Sequence, residues 1–597
     1  MESKALPKRH DIPAEHTWNA PSVFESREAW EAAYQDLAAQ LPSLKRFEGH
    51  LSDSPTTLVE WMNLTSEMGI TIGKLMVYAG MSSAVDTNDQ AAVAMQGRGM
   101  MLVGQVQALT AFADPELLQI GWDTLSQWMD ENTDLAVYRH YIEGLFRKQQ
   151  HIRSAEVEEV LGLLADNFSM PYRTYSMLTD ADFKFAQAAE DEPVAQSTIT
   201  DLMNNPNREV RRTAWENYAD RYLDYKHTLA ANYLASVKQD AFEAHVRGYS
   251  GTLEAVLFPD NIPVEVFHNL INTYQRFLPT WHRYWAIRRR ILGYETLNPY
   301  DIWAPLSKAR PVVEYNQAVD WLTEALAPLG DTYVATMRQG SLENRWVDRY
   351  PNEGKSSGAF SSGSKGTYPF IMMSYANSLE SMSTLAHELG HSMHSYLTWQ
   401  HQPVIYSGYS SFVAEVASNF HQAMLRDYLF KHNPDPGFQI ALIEEAMSNF
   451  HRYFFIMPTL ARYEHEVHQR VEQGGSLTAD DMIKLMTELF SEGYGGEMHV
   501  DHDRVGITWA QFPHLYAAYY PFQYATGISG AHALASRVLA NEPNAAEDYR
   551  GFLSSGSSGY PIDVLKKAGV DLTTPEPVEQ TFAILTQYID RLDQLTR

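Results

Sequence analysis

The sequence predicts a mostly α-helical protein, and three observations carry that prediction. Apolar residues recur at a period near 3.6 through most of the 597 residues. Helix formers dominate, while alternating runs of β-branched residues are scarce. The 34 Gly and 28 Pro fall mainly between the periodic segments, where chain breakers belong. The first helix is expected from Ser26 to about Leu41, with Pro42 closing it. Similar patterns run through 55–83, 88–112, 153–166, 208–247, 264–292 and 314–337. Later ones cover 378–400, 411–431, 437–472, 479–490, 529–540 and 576–595. No fixed-period repeat is present, so shared helical character does not indicate a solenoid.

Two stretches depart from this pattern. Residues 340–375 start polar and Gly/Ser-rich and end in the apolar run Tyr368 to Tyr375, which turn residues bound as they bound a strand. Residues 491–506 are a second glycine-rich loop, containing His499 and His502. Charge, Pro and Asn at 190–207 mark a boundary, giving an N-terminal helical domain over 1–200 and a second domain over 201–597.

Composition excludes several function classes. With 46 Lys+Arg against 74 Asp+Glu, the net charge is −28, which argues against nucleic acid and against an anionic lipid surface. Cysteine is absent, so any metal is held by His, Asp or Glu. The first twenty residues hold no apolar core of a signal peptide. The most lipid-like stretch, Ala91 to Ala113, is interrupted by Gln96, Arg98, Gln105 and Gln107. A soluble, cytoplasmic protein is expected, a monomer or weak homo-oligomer with no membrane partner.

His387-Glu388-Leu389-Gly390-His391 is an H-E-x-x-H pattern. With 22 His in the chain, chance yields such a match in roughly 5 % of comparable sequences. Its setting adds weight. Asn377 with Glu380 reads as a capping-box-like helix start, and Met382, Leu385, Ala386, Leu389 and Met393 form an apolar stripe. Residues four apart share a helix face, so both imidazoles can reach one ion, with Glu388 beside them to hold a water. The competing reading is a buried amphipathic helix with two hydrogen-bonded histidines.

A catalytic zinc takes three protein ligands and keeps one position open. A third histidine six residues on is missing, because position 397 is Leu. On the next helical segment, Glu415 lies on the more polar side with Ser411, Ser418, Asn419 and Gln422, and it is the best third ligand. His394 falls on the same face as His387 and His391, but a fourth protein ligand would close the metal, so it is assigned to packing or support. Gly354-Lys355-Ser356 lacks the earlier glycine of a phosphate loop, since Arg349 stands there.

HELGHSMHSY, the downstream FVAEVAS, the preceding GAFSSGSKGTYPFIMMSY and the C-terminal YPIDVLKKAGVDLTTPEPVE together resemble the oligoendopeptidase F family, of the thimet-oligopeptidase group of zinc metallopeptidases. Tyr300 to Leu306 and residues 513–527 also resemble that family, so the likeness spans roughly 290–580 in order. It implies a helical ellipsoid around a deep channel that admits short unstructured peptides, with 201–597 as the catalytic domain. It implies one zinc ion on His387, His391 and Glu415, and Glu388 as general base. A short strand near 367–375 would pair with the substrate backbone. His514 matches the family histidine, and Tyr520 and Tyr524 match hydroxyls that steady the tetrahedral intermediate. Departures are Phe522, where relatives often have Tyr, Tyr519, where some have Phe, and His421-Gln422, where relatives usually show Asn-Glu.

The expected function is zinc-dependent cleavage of internal bonds in oligopeptides. The alternative is a zinc carboxypeptidase on a related helical fold, which needs a cation for the substrate carboxylate. An aminopeptidase is disfavoured because no Gly-x-Met-Glu-Asn string occurs. A non-catalytic helical scaffold would have no use for Glu388.

Overall fold

The computed structural model describes residues 6–597. The chain forms two compact units, each assembled from three separate stretches. The first takes the chain up to Gln150, then Val312–Leu429 and Leu534–Gly569. The second takes His151–Pro311, Phe430–Ala533 and Val570–Arg597. Residue 200, where the sequence suggests a boundary, lies within the first stretch of the second unit.

In the first unit, helix Arg27–Gln40 starts where Ser26 Oγ accepts from the Ala29 N–H, and α1 (Pro55–Val85) where Ser54 caps Thr57. Their apolar faces bury Trp30, Leu37, Leu58, Trp61 and Leu75. The Trp30 indole also donates to the Leu75 carbonyl at 2.9 Å. Each such large side chain contributes roughly 1.5–3 kcal/mol by leaving water. Among the described residues, α1 is the one helix long and apolar enough to cross a membrane by length and composition, at a mean hydropathy of 1.2. The stretch Ala91 to Ala113 does not meet that measure. Short helices Ala113–Ile120, Trp122–Glu131 and Arg139–Lys148 follow where no periodicity was legible.

The sheet has three short strands, β1 (Val347–Asp348), β2 (Phe360–Ser362) and β3 (Phe370–Met372), in the order β1-β3-β2. β3 runs parallel to β1, with Ile371 opposite Val347, and antiparallel to β2, with Ile371 opposite Ser361. The expected strand within 367–375 therefore exists, but it is central and fully buried. The N-terminal segment is pinned beside β1. The Arg349 N–H donates to the His16 carbonyl, and the buried Asp348 carboxylate takes Arg9 at 2.9 Å and Lys355 at 2.7 Å. Two helices follow the sheet, α2 (Leu379–His401) and α3 (Ser411–His432). Ser378, not Asn377, caps α2 by accepting from the Ser381 N–H. Asn377 takes a left-handed φ of 52°, which turns the chain into the helix.

In the second unit, three of the long helical stretches read from the sequence are interrupted. The 208–247 stretch divides at Tyr225, and the 264–292 stretch at Phe277, just before Pro279. The 437–472 stretch widens into a π turn over Arg452–Ile456 before Pro458. Proline lacks an N–H and collides with the preceding turn, so the second and third of these stretches restart with Pro near the first position of the new helix, whereas no proline stands at the Tyr225 break. Trp281, Trp285, Phe450, Phe454, Phe455 and Phe582 fill the core between these helices.

Candidate metal centre

The register of α2 sets His387 and His391 one turn apart on one face. Gly390, on the same turn, faces α3 so closely that a Cβ there would stand 2.5 Å from the Ala417 carbonyl oxygen and 2.6 Å from the Ser418 Cα. That approach brings Glu415 to the histidines. His387 Nε2 lies 3.2 Å from His391 Nε2 and 3.5 Å from Glu415 Oε2, and the three ligand atoms all fall within 4.8 Å of one another. Two ring nitrogens this close repel through their lone pairs unless a proton or a cation lies between them. Two imidazole nitrogens and one carboxylate suit zinc and leave a coordination position open.

The surroundings prepare each ligand. Burial pushes His391 down to about 4, with the His387 charge acting in the same direction and Glu415 and the Ala414 carbonyl opposing. The ring is therefore neutral near pH 7, as metal ligation requires. Glu415 Oε2 accepts from Ser418 Oγ at 2.9 Å. Gln422 Oε1 lies 3.3 Å from His387 Nδ1, while Gln422 Nε2 donates to Ser383 Oγ at 2.8 Å and so fixes which way the amide points. The neutral amide does here what a carboxylate does more strongly. Gln422→Glu should therefore tighten zinc binding, roughly 10-fold or more on the scale of such outer contacts, as read by competition against a chromogenic chelator.

Glu388 is 6 % exposed. Burial pushes its carboxyl up to about 7, against the pull of His387 and of a hydrogen bond from the Ser361 N–H. A base near neutrality is well matched to taking and returning one proton. His394 stands outside that group of ligand atoms: it stacks on Tyr409 at 3.7 Å and packs against Phe552.

His514, Tyr520 and Tyr524 come together in the second unit. The His514 ring lies parallel to Tyr520 at 6.0 Å and edge-on to Tyr524 at 5.8 Å, and the Tyr524 hydroxyl donates to that of Tyr520 at 3.0 Å. Burial, with Arg452 adding repulsion, pushes His514 down to about 4. Tyr519 points elsewhere, its hydroxyl on His465 Nδ1, and Phe522 packs on Phe267.

The pairing expected of 367–375 with a peptide is corrected by the sheet order. Both sides of β3 are occupied, and the half-exposed outer edge belongs to β2. Two supporting roles escaped the sequence reading. That of Ser418, already placed on the polar side with Glu415, was detectable, since Ser418 lies one turn beyond that residue. Ser361 was not, because its role depends on a loop folding back onto α2.

Comparison with known proteins bears on the whole chain. A model of peptidase family M3 matches residues 201–584, and one described as oligopeptidase F matches 116–185. Oligopeptidase PepF of Bacillus subtilis is 37 % identical over 601 residues, covering 100 % of this chain and 89 % of that protein. The solved structure of oligoendopeptidase-F from Enterococcus faecium superposes with a TM-score of 0.75 at 28 % identity, covering 95 % of this chain and 99 % of that one. A Chlamydophila abortus structure, solved as a candidate peptidase, reaches 0.89 at 30 % identity over 99 % of this chain and all of its own. The helical fold and the end-to-end likeness agree, and the chain belongs to peptidase family M3, among the oligoendopeptidase F metallopeptidases.

Proposed function

We propose that this metallo-oligopeptidase is a zinc enzyme that cuts internal bonds of short, unstructured peptides, with His387, His391 and Glu415 as ligands and Glu388 as general base. The observation that carries this reading is the convergence of two imidazole nitrogens and a carboxylate within 4.8 Å, beside a buried carboxyl held near neutrality. Zinc at that position supplies Lewis acidity, polarising the scissile carbonyl and bringing the pKa of water toward about 7.

The chain's own groups do the rest. A Glu388 carboxylate oxygen takes the proton of the attacking water and later delivers it to the leaving amine nitrogen, work worth typically 10²–10⁴-fold. The Ser361 N–H and the closeness of β2 to α2 keep that carboxylate oriented. The extended substrate adds along β2, whose backbone recognises main chain rather than sequence. The family resemblance gives Tyr520, Tyr524 and His514, grouped within the second unit, the role of oxyanion donors, and losing one such donor costs on the order of 10²–10³ in turnover. A chain without cysteine fits the reducing cytoplasm, and we place the enzyme there.

Peptides of graded length, acetylated and amidated at their ends, test the reading when products are identified by mass spectrometry. Internal cuts are expected in short peptides and not in folded proteins. Trimming confined to peptides with a free C-terminus would replace the endopeptidase reading with a carboxypeptidase.

A further inference from the structure

In the second unit, the segment that delivers Tyr520 and Tyr524 depends on one backbone conformation. Tyr519 has a φ of 52°, in the left-handed region that a residue with a Cβ disfavours. An aromatic residue stays there only where its surroundings hold it. Here they hold it at several points. The Tyr519 N–H donates to Glu464 Oε1 at 2.6 Å, and the hydroxyl shares a hydrogen bond with His465 Nδ1 at 3.0 Å. Phe267 packs edge-on against the ring at 5.5 Å.

Glu464 and His465 both lie on helix Met457–Glu472, and Glu464 is fully buried. One turn on, His468 Nδ1 donates to the Glu464 carbonyl at 3.0 Å and turns its Nε2 to Asp240 at 3.3 Å, on helix Lys226–Arg247. His468 thus ties the Glu464 backbone to Asp240, while the Glu464 side chain reaches Tyr519.

What hangs on Tyr519 is local and specific. Before it, the Ala517 N–H donates to the His514 carbonyl, and after it the Tyr520 N–H returns to the Ala517 carbonyl at 3.0 Å. The helix bearing Tyr524 then begins at Pro521. Rotating Tyr519 out of the left-handed region would swing Tyr520 off the His514 ring and part the two tyrosine hydroxyls.

We propose that Glu464 is a positioning residue for the oxyanion donors: its carboxyl holds Tyr519 in the left-handed conformation and so sets Tyr520 against His514 and Tyr524. The assignment rests on the reading of those three side chains as donors. Burial pushes the Glu464 carboxyl up to about 8. Near neutral pH it is largely the uncharged acid, whose carbonyl oxygen accepts from Tyr519 and which an amide imitates.

Glu464→Gln, which keeps the acceptor, is compared with Glu464→Met, which keeps the volume without it; Glu464→Leu serves if the Met variant does not fold. With zinc-loaded proteins and a capped peptide, the Met variant is expected to lose on the order of tenfold or more in kcat, with KM and zinc content unchanged. The Gln variant is expected to stay within about threefold of wild type. Amide hydrogen exchange over 513–521 is expected to speed up in the Met variant alone. Tyr520→Phe should cost much less on the Met background than in wild type, because the phenol is already displaced. Wild-type kcat in a folded Met variant, equal losses in Met and Gln, or fully additive losses with Tyr520→Phe would each overturn the proposal. Unchanged kcat in Tyr520→Phe and Tyr524→Phe by themselves would instead remove the donor reading on which it rests, and the exchange data would still show separately whether Glu464 holds the turn.

Discussion

Glu388→Gln should leave a folded, zinc-loaded protein that turns over peptides about 10²–10⁴ times more slowly than wild type. The amide has the carboxylate's shape, so it still accepts from the Ser361 N–H that contacts this side chain. It cannot accept a proton from water, and that single loss corresponds to about 3–5.5 kcal/mol of transition-state stabilisation. Because the side chain is 6 % exposed, bulk water does not easily supply a substitute base. The drop should fall on kcat and kcat/KM alike, since the interaction removed is made only as the bond breaks. Zinc content measured on the same samples separates this outcome from metal loss. Turnover within a few-fold of wild type, with metal bound, would remove Glu388 from the role of base.

Gly390→Ala should be nearly as damaging for an entirely different reason. The added methyl would stand 2.5 Å from the Ala417 carbonyl oxygen and 2.8 Å from its carbon. Both belong to backbone, which cannot rotate aside as a long side chain can. α2 and α3 must therefore move apart by several tenths of an ångström or more, at a cost of about 1–3 kcal/mol. The helix separation also fixes the 3.5 Å between His387 Nε2 and Glu415 Oε2, so zinc affinity should fall by roughly tenfold or more together with stability. Urea unfolding of the metal-free protein and chelator competition read the two effects separately. Gly97→Ala is the matched control, because nothing lies within 4 Å of its added methyl and alanine suits a helix interior better by roughly 0.5–1 kcal/mol. Equal zinc affinity in both variants would mean that the helix approach does not set the site.

Much of this architecture was written in local pattern. Helices 27–40, 55–85, 379–401 and 411–432 follow the apolar period to within a few residues, because each buries one continuous stripe. His387, His391 and Glu415 were legible because a metal demands donors at helix spacing, and spacing is visible in a string of letters. Features set by tertiary approach were not. The left-handed Tyr519 violates its own propensity and is held by groups more than fifty residues away. β3 was read as the strand to receive a peptide, but its neighbours on both sides come from sequence too short to announce itself. The breaks at Phe277 and 452–456 come just ahead of Pro279 and Pro458, prolines whose effect the apolar period masked. The N-terminal boundary at 200 rested on composition, which is insensitive to chain that returns to an earlier unit after a long excursion.

That returning chain has a bearing on how the enzyme is made. The helix Ala545–Ser554 closes over α2 from the last stretch of the first unit. Tyr549 stacks on Phe420, and Thr398 Oγ1 reaches the Leu553 carbonyl at 2.9 Å. The second unit takes its final helix from Glu576–Leu595. Neither unit can be finished until the stretch Leu534–Gly569 has rejoined the first and Val570–Arg597 the second, so neither folds to completion from one continuous run of chain. Contacts of such long sequence separation are slow to form. The ligand-bearing helix α2 is therefore completed late, by chain that lies far beyond it in sequence.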